Sequence, residues 1–139
     1  MRRITVTTAA LGLCVWVAMA GQATAQTATQ PVTRMFSDAQ GETHTETIMM
    51  DVGQSNGFSP TGTAYFSRFA ADMDLDWHPA PRRQYIVNLD AGVRITASDG
   101  ESRVIGAGEV LLVEDTTGKG HLSKAVGEQI RHCIFIPID

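Results

Sequence analysis

The sequence predicts an all-β domain, an antiparallel sandwich or barrel, and three observations carry that prediction. From Gly41 onward the chain breaks into short runs rich in Thr, Val, Ile, Tyr and Phe. Gly, Pro, Asn and Asp separate these runs at short intervals. Beyond the first 25 residues, no window of about eleven or more residues keeps its apolar side chains at helical spacing. Many short strands without crossover helices bury their apolar faces by packing sheet on sheet or by closing a sheet on itself.

The first segment reads as a delivery signal. Met1-Arg2-Arg3 is a short basic start, Ile4 to Gly21 is apolar and small, and Ala23-Thr24-Ala25 matches an A-x-A cleavage site. The apolar run is too short and too often interrupted by Thr for a membrane span, which takes roughly 20 apolar residues. A retained anchor is the competing reading. Leu13 directly before Cys14 argues against lipid attachment at that cysteine. The expectation is therefore a signal peptide over 1–25, export to the periplasm or beyond, and no stable membrane insertion.

Removing 25 of the 139 residues leaves 114, which is one domain and buries about two thirds of its unfolded surface. Loss of Arg2 and Arg3 takes the basic count from 11 to 9 against 15 acidic residues, a formal charge of −6. An acidic surface is unsuited to nucleic acid or anionic lipid, which select basic patches. Cys14 leaves with the signal, so Cys133 stands alone, and its place among Ile130 to Ile136 predicts burial without chemistry.

Residues 26–40 are rich in Thr, Gln, Ala and Ser without apolar periodicity, and are expected to form a flexible lead before a domain over 41–139. The predicted strands are Glu42–Met50, Thr63–Ala70, Met73–His78, Arg83–Leu89, Val93–Ala97, Ser102–Ile105, Glu109–Val113, His121–Lys124 and Gln129–Pro137. The stretch Gly53–Ser59 reads as a loop, and Ser98-Asp99-Gly100, Gly106-Ala107-Gly108 and Gly118-Lys119-Gly120 read as turns. There are no internal repeats.

Strand alternation then sorts side chains by face. From His78 onward one face carries His78, Ala80, Arg82, Gln84, Ile86 and Asn88, a polar set suited to lining a cavity. The other carries Arg83, Tyr85, Val87 and Leu89, which needs a cover from the N-terminal strands or from a second subunit, so a homodimer is expected. Pro79 and Pro81 remove two backbone donors, which argues against a central place for this segment in a regular ladder.

These features together resemble the cupin superfamily, small jelly-roll β-barrels (double-stranded β-helices) that hold a metal or an organic ligand inside. The resemblance covers about residues 60 to 137 and is to a single-domain member with a degenerate metal motif. The first cupin motif runs His-x-His, three or four residues, Glu, six residues, Gly. Here His78 takes the first histidine, Ala80 stands at the second, Gln84 at the glutamate, and Ala91-Gly92 at the closing glycine. The second motif ends Pro-x-Gly-x-x-His, where Thr116 replaces the proline while Gly118 and His121 match. Gly108-Glu109 and the apolar run Val110–Val113 look like its opening, with about two extra residues at Glu114-Asp115.

The resemblance implies a divalent metal ion on His78 and His121, with Gln84 adding an amide oxygen. The competing reading leaves both histidines hydrogen-bonded inside a polar cavity. Glu114 and Asp115 are adjacent, so in an extended chain only one reaches the cavity, where it would replace the missing carboxylate or act as a general base. Asp115 in Asp-Thr-Thr-Gly also suits plain turn chemistry. Arg82 shares the parity of His78 and would meet a carboxylate or phosphate on a ligand, while Arg83 faces outward. Trp77 either roofs the site or packs under the barrel, and packing is favoured. His132 is expected to be a satisfied core histidine rather than a third ligand, and His44 has no partner nearby in sequence.

Gly118-Lys119-Gly120 is not a phosphate loop, since the upstream glycine, the Ser/Thr after the lysine and the following helix are all missing. No serine or cysteine nucleophile motif is present. The function expected is a metal-dependent isomerase, lyase or hydrolase acting on a small polar, anionic organic molecule. Loss of the carboxylate ligand speaks against oxygen activation by two histidines and one carboxylate. The competing expectations are a metal-free periplasmic protein that binds or senses a small ligand, and a structural dimer with a vestigial cavity.

Overall fold

Two sheets lie face to face, one of six strands and one of four. The computed structural model describes residues 28–51 and 60–138, so the expected signal peptide and the Gly53–Ser59 loop lie outside the described residues. The strands are β1 (Thr29–Ser37), β2 (Thr43–Asp51), β3 (Tyr65–Phe69), β4 (Asp74–His78), β5 (Gln84–Asn88), β6 (Val93–Ala97), β7 (Ser102–Ile105), β8 (Val110–Glu114), β9 (His121–Ala125) and β10 (Arg131–Pro137). The larger sheet runs β2-β1-β8-β5-β10-β3 and the smaller β4-β9-β6-β7. Among the described residues every strand pairing is antiparallel apart from the parallel pair β1–β8. The result is an all-β sandwich of two mixed or antiparallel sheets, with all nine expected strands present.

The tenth strand corrects the reading of residues 26–40 as a flexible lead. From Thr29 this stretch is β1, bonded to β2 on one side and to β8 on the other. Its anchors are Val32 and Met35, 3% and 0% exposed. They serve opposite faces of the sheet: Met35 joins the cluster between the sheets, and Val32 joins a second cluster on the far face. One anchor per face, three positions apart, leaves no alternation to read.

Between the sheets, Met35, Ile105, Leu111, Val113, Val93 and Ile95 form the main core. Burial of each such side chain stabilises the domain by about 1.5–3 kcal/mol. The far face of the six-stranded sheet buries Val32, Tyr85, Leu112 and Ile138, with Ile48, Met50 and Ile136 against them. The cover expected for Tyr85 is thus supplied in part by β1 and β2; its hydroxyl reaches the Met50 sulfur at 3.6 Å.

One irregularity shapes the space between the sheets. In the β4–β9 ladder Leu75 pairs with Ser123 but His78 pairs with His121, so β4 holds one residue more than its partner over that interval. Strict alternation would send Leu75 and His78 to opposite faces. The bulge re-aims the strand, and both side chains face the same cavity.

Candidate functional site

A cavity of about 280 Å³ lies between the sheets. Its polar lining includes His78 and His121 from the β4–β9 edge, Ser67 from β3, Gln84 and Asn88 from β5, Ser123 from β9 and Arg131 from β10. Apolar side chains, among them Phe69, Ile86 and Phe135, supply the remaining wall.

His78 and His121 are direct cross-strand partners, with ring centroids 4.4 Å apart and planes tilted by 54°. Gly120 makes that approach possible. It sits at φ +76°, and a Cβ there would come within 2.2 Å of the His78 carbonyl, so both the backbone angle and the space demand glycine.

Each ring is fixed from behind. His78 Nδ1 lies 2.6 Å from the Asp76 carbonyl oxygen. A carbonyl only accepts, so Nδ1 carries the proton and the Nε2 of the neutral ring keeps a lone pair. His121 Nδ1 lies 2.6 Å from Asp115 Oδ2, and Asp115 is fully buried. With Nδ1 on Asp115, a neutral His121 ring likewise keeps its lone pair on Nε2. Asp115 also closes the turn before β5, since its backbone carbonyl accepts from the Ala80 amide at 3.0 Å. Gln84, 3% exposed, adds a third acceptor: its Oε1 is buried without a donor among the described residues.

Two imidazole acceptors therefore face one cavity, and the Gln84 side chain shares its wall with Oε1 buried. They fit a divalent ion in kind, because imidazole ligands to metals ordinarily hold their second nitrogen on a carbonyl or carboxylate, as both do here. The donor set is neutral and small. Among the described residues no group of three or more His, Cys, Asp or Glu could hold a metal ion.

The expected site residues separate into those brought together and those placed elsewhere. His78, His121 and Gln84 share the cavity wall, and Asp115 stands behind His121. Of the adjacent pair, Glu114 is the one that points away from the cavity. Its carboxylate joins Arg34 Nε at 2.6 Å, Arg83 Nε at 2.9 Å and Arg83 Nη2. Burial pushes its carboxyl pKa up, but the two guanidinium groups outweigh that and hold it below the ordinary carboxylate value.

Arg82 also lies away from the cavity. It is exposed and absent from the cavity lining. Between β4 and β5 the chain bends at Pro81-Arg82, and the consecutive residues Ala80 and Pro81 both line the cavity, so alternation does not carry across. Trp77, expected to pack, is 49% exposed. His132, expected in the core, is exposed, with Nδ1 2.6 Å from Asp90 Oδ2. Cys133 is fully buried, as expected. His44 lies between Asp38 and Asp99, whose carboxylates raise its pKa.

Sequence reasoning missed Arg131. It is 5% exposed, its Nη1 donates to Asn88 Oδ1 at 2.7 Å, and its guanidinium carbon lies 4.4 Å from the Phe69 ring centroid. Asn88 is in turn anchored on the Ile105 carbonyl at 2.8 Å. No carboxylate among the described residues pairs with Arg131, and its Nε is buried without an acceptor. Burial lowers its pKa, opposed by the negative charge at Asp90 and the thiol of Cys133, yet a guanidinium stays charged. A buried donor left unmet costs about 1–3 kcal/mol. The signal was parity: Arg131 and the buried Cys133 are two apart on β10 and share a face.

No family model matches this chain, and no curated protein matches it.

Proposed function

We propose that this chain is an exported cupin, a jelly roll whose cavity holds a divalent metal on His78 and His121 and which acts as an isomerase, lyase or hydrolase on a small polar organic molecule. The observation that carries the reading is the tethering of both Nδ1 atoms, which presents two bare Nε2 lone pairs to one cavity. The jelly-roll reading draws support from the chain's passage between sheets: β5 lies in the larger, β6 and β7 in the smaller, then β8, β9 and β10 alternate.

In this reading His78, His121 and Gln84 hold the ion, which supplies Lewis acidity toward a carbonyl or enolate oxygen. Asp115 would fix the His121 tautomer and raise the basicity of the Nε2 that holds the ion. The apolar wall limits the access of water to that position. Exposed Phe66 and Trp77 on the two edge strands β3 and β4, 78% and 49% exposed, support a homodimer.

A second reading rests on the same neutral donor set. Two imidazole nitrogens and an amide oxygen can accept hydrogen bonds from ligand N–H or O–H groups, so the protein would bind or sense a small molecule without metal. Elemental analysis of the exported protein, purified without tag or chelator beside His121→Ala, separates the two. Near-stoichiometric metal in the wild type that disappears in the variant supports the first reading; no metal in either sample moves the assignment to the second.

A further inference from the structure

We infer that Arg131 is the anion-recognition point of the cavity and that the molecule taken there is a small organic carboxylate whose far end carries an oxygen function facing His78 and His121. The inference rests on reading the cavity as a small-molecule site, but not on a metal being present.

Charge and placement carry it. Arg131 is the one guanidinium among the described cavity-lining residues, and no Asp, Glu or Lys among them lines the same wall. The arginines Arg34, Arg83 and Arg103 all have a glutamate partner. Arg131, far more buried than these, has none among the described residues. Asp90, whose charge reaches it, is engaged by the His132 backbone amide at 2.8 Å and by the His132 ring.

Asn88 takes Nη1, Nε is buried without a partner, and no acceptor among the described residues takes Nη2. Nη2 is the N–H group left to meet a carboxylate in the cavity. Stacking on Phe69 and the Asn88–Ile105 anchor hold the group in place before any ligand arrives.

The cavity limits size and far-end chemistry. A void of about 150 Å³ accepts benzene, so about 280 Å³ accommodates roughly ten non-hydrogen atoms. With both Nδ1 atoms tethered, the neutral rings of His78 and His121 offer Nε2 as acceptors, so they call for a hydroxyl donor or an oxygen reaching them through a cation. The body between meets Phe69, Ile86 and Phe135.

The test is calorimetric titration and thermal shift on the exported protein with small carboxylates, each beside its neutral carboxamide. The first pair is 4-hydroxybenzoate and 4-hydroxybenzamide, with inorganic phosphate as a generic anion. At least one acid is expected to bind about tenfold or more tighter than its amide and than phosphate. Arg131→Gln is expected to abolish that preference while metal content stays as in the wild type. Asn88→Asp gives the guanidinium an internal carboxylate and is expected to abolish it too, which keeps the test decisive should Arg131→Gln fail to fold. The inference is overturned if no acid outperforms its amide, or if folded Arg131→Gln or Asn88→Asp retains the preference. Carboxylate binding that persists in His121→Ala or in chelator-treated protein sustains the anion site whatever the metal content; metal in the wild type without any carboxylate preference overturns the anion site and leaves the metal reading standing.

Discussion

Two polar constellations lie on opposite sides of the same stretch of β8, and they are solved differently. Outside, Glu114 bridges Arg34 and Arg83, and Arg34 reaches Glu46 as well. Inside, Asp115 meets one histidine, and the neighbouring cavity carries a guanidinium with no carboxylate, an amide oxygen with no donor and two bare imidazole nitrogens among the described residues. The outer set is complete within the chain. The inner set leaves these groups without partners among the described residues.

The sharpest way to break the inner constellation is Gly120→Ala. The added methyl would overlap the His78 carbonyl, so β9 must move and the histidines separate. Urea unfolding should show a loss of about 3 kcal/mol or more, with no metal retained. Next comes Asp115→Ala, which leaves a buried His121 N–H without an acceptor. A loss of about 2 kcal/mol is expected, together with metal affinity lowered by about tenfold or more; unchanged values in both measurements would remove Asp115 from the site.

Arg131→Met then tests the contrast from the other side. A buried cation without a counter-ion is replaced by a side chain of similar reach, so stability should be unchanged or raised by about 1 kcal/mol. A large loss would mean that Arg131 is a structural pillar. Smallest of all is Glu114→Gln outside, at under about 1 kcal/mol. Its sign with pH is fixed: the folded carboxyl pKa is depressed, so the stabilisation is present above about pH 4.5 and fades as pH falls through the lowered value. His44 runs opposite. Its pKa is raised, so the difference between wild type and His44→Gln should be full below about pH 6.5 and vanish as pH rises through the elevated value.

The strands were legible because Gly-bearing turns punctuate them, and Val93–Ala97 and Ser102–Ile105 fall at their observed bounds. What alternation could not show was its own interruption. The extra residue in β4 resets parity between Leu75 and His78, and the bend at Pro81-Arg82 resets it again, which is why strict alternation puts Arg82 inside. β1 stayed hidden because each of its faces holds one large anchor. The Glu114-Asp115 pair was half legible: adjacency requires opposite faces, but which residue turns inward depends on β8 pairing with β1 and β5. The tie from His44 to Asp99 spans 55 positions and leaves no local trace. His78 and His121 came into view through motif resemblance, since nothing in the 42 residues between them announces that they are cross-strand neighbours.

Trp77, half-exposed beside His78, gives the protein a built-in optical reporter. The chain has two tryptophans, and Trp16 belongs to the segment expected to be cleaved. Emission from the exported protein would then come from a single indole one residue from the imidazole pair. A paramagnetic ion entering the cavity should quench it, and displacement of β4 should shift its colour, so occupancy could be followed in a cuvette without attaching a dye.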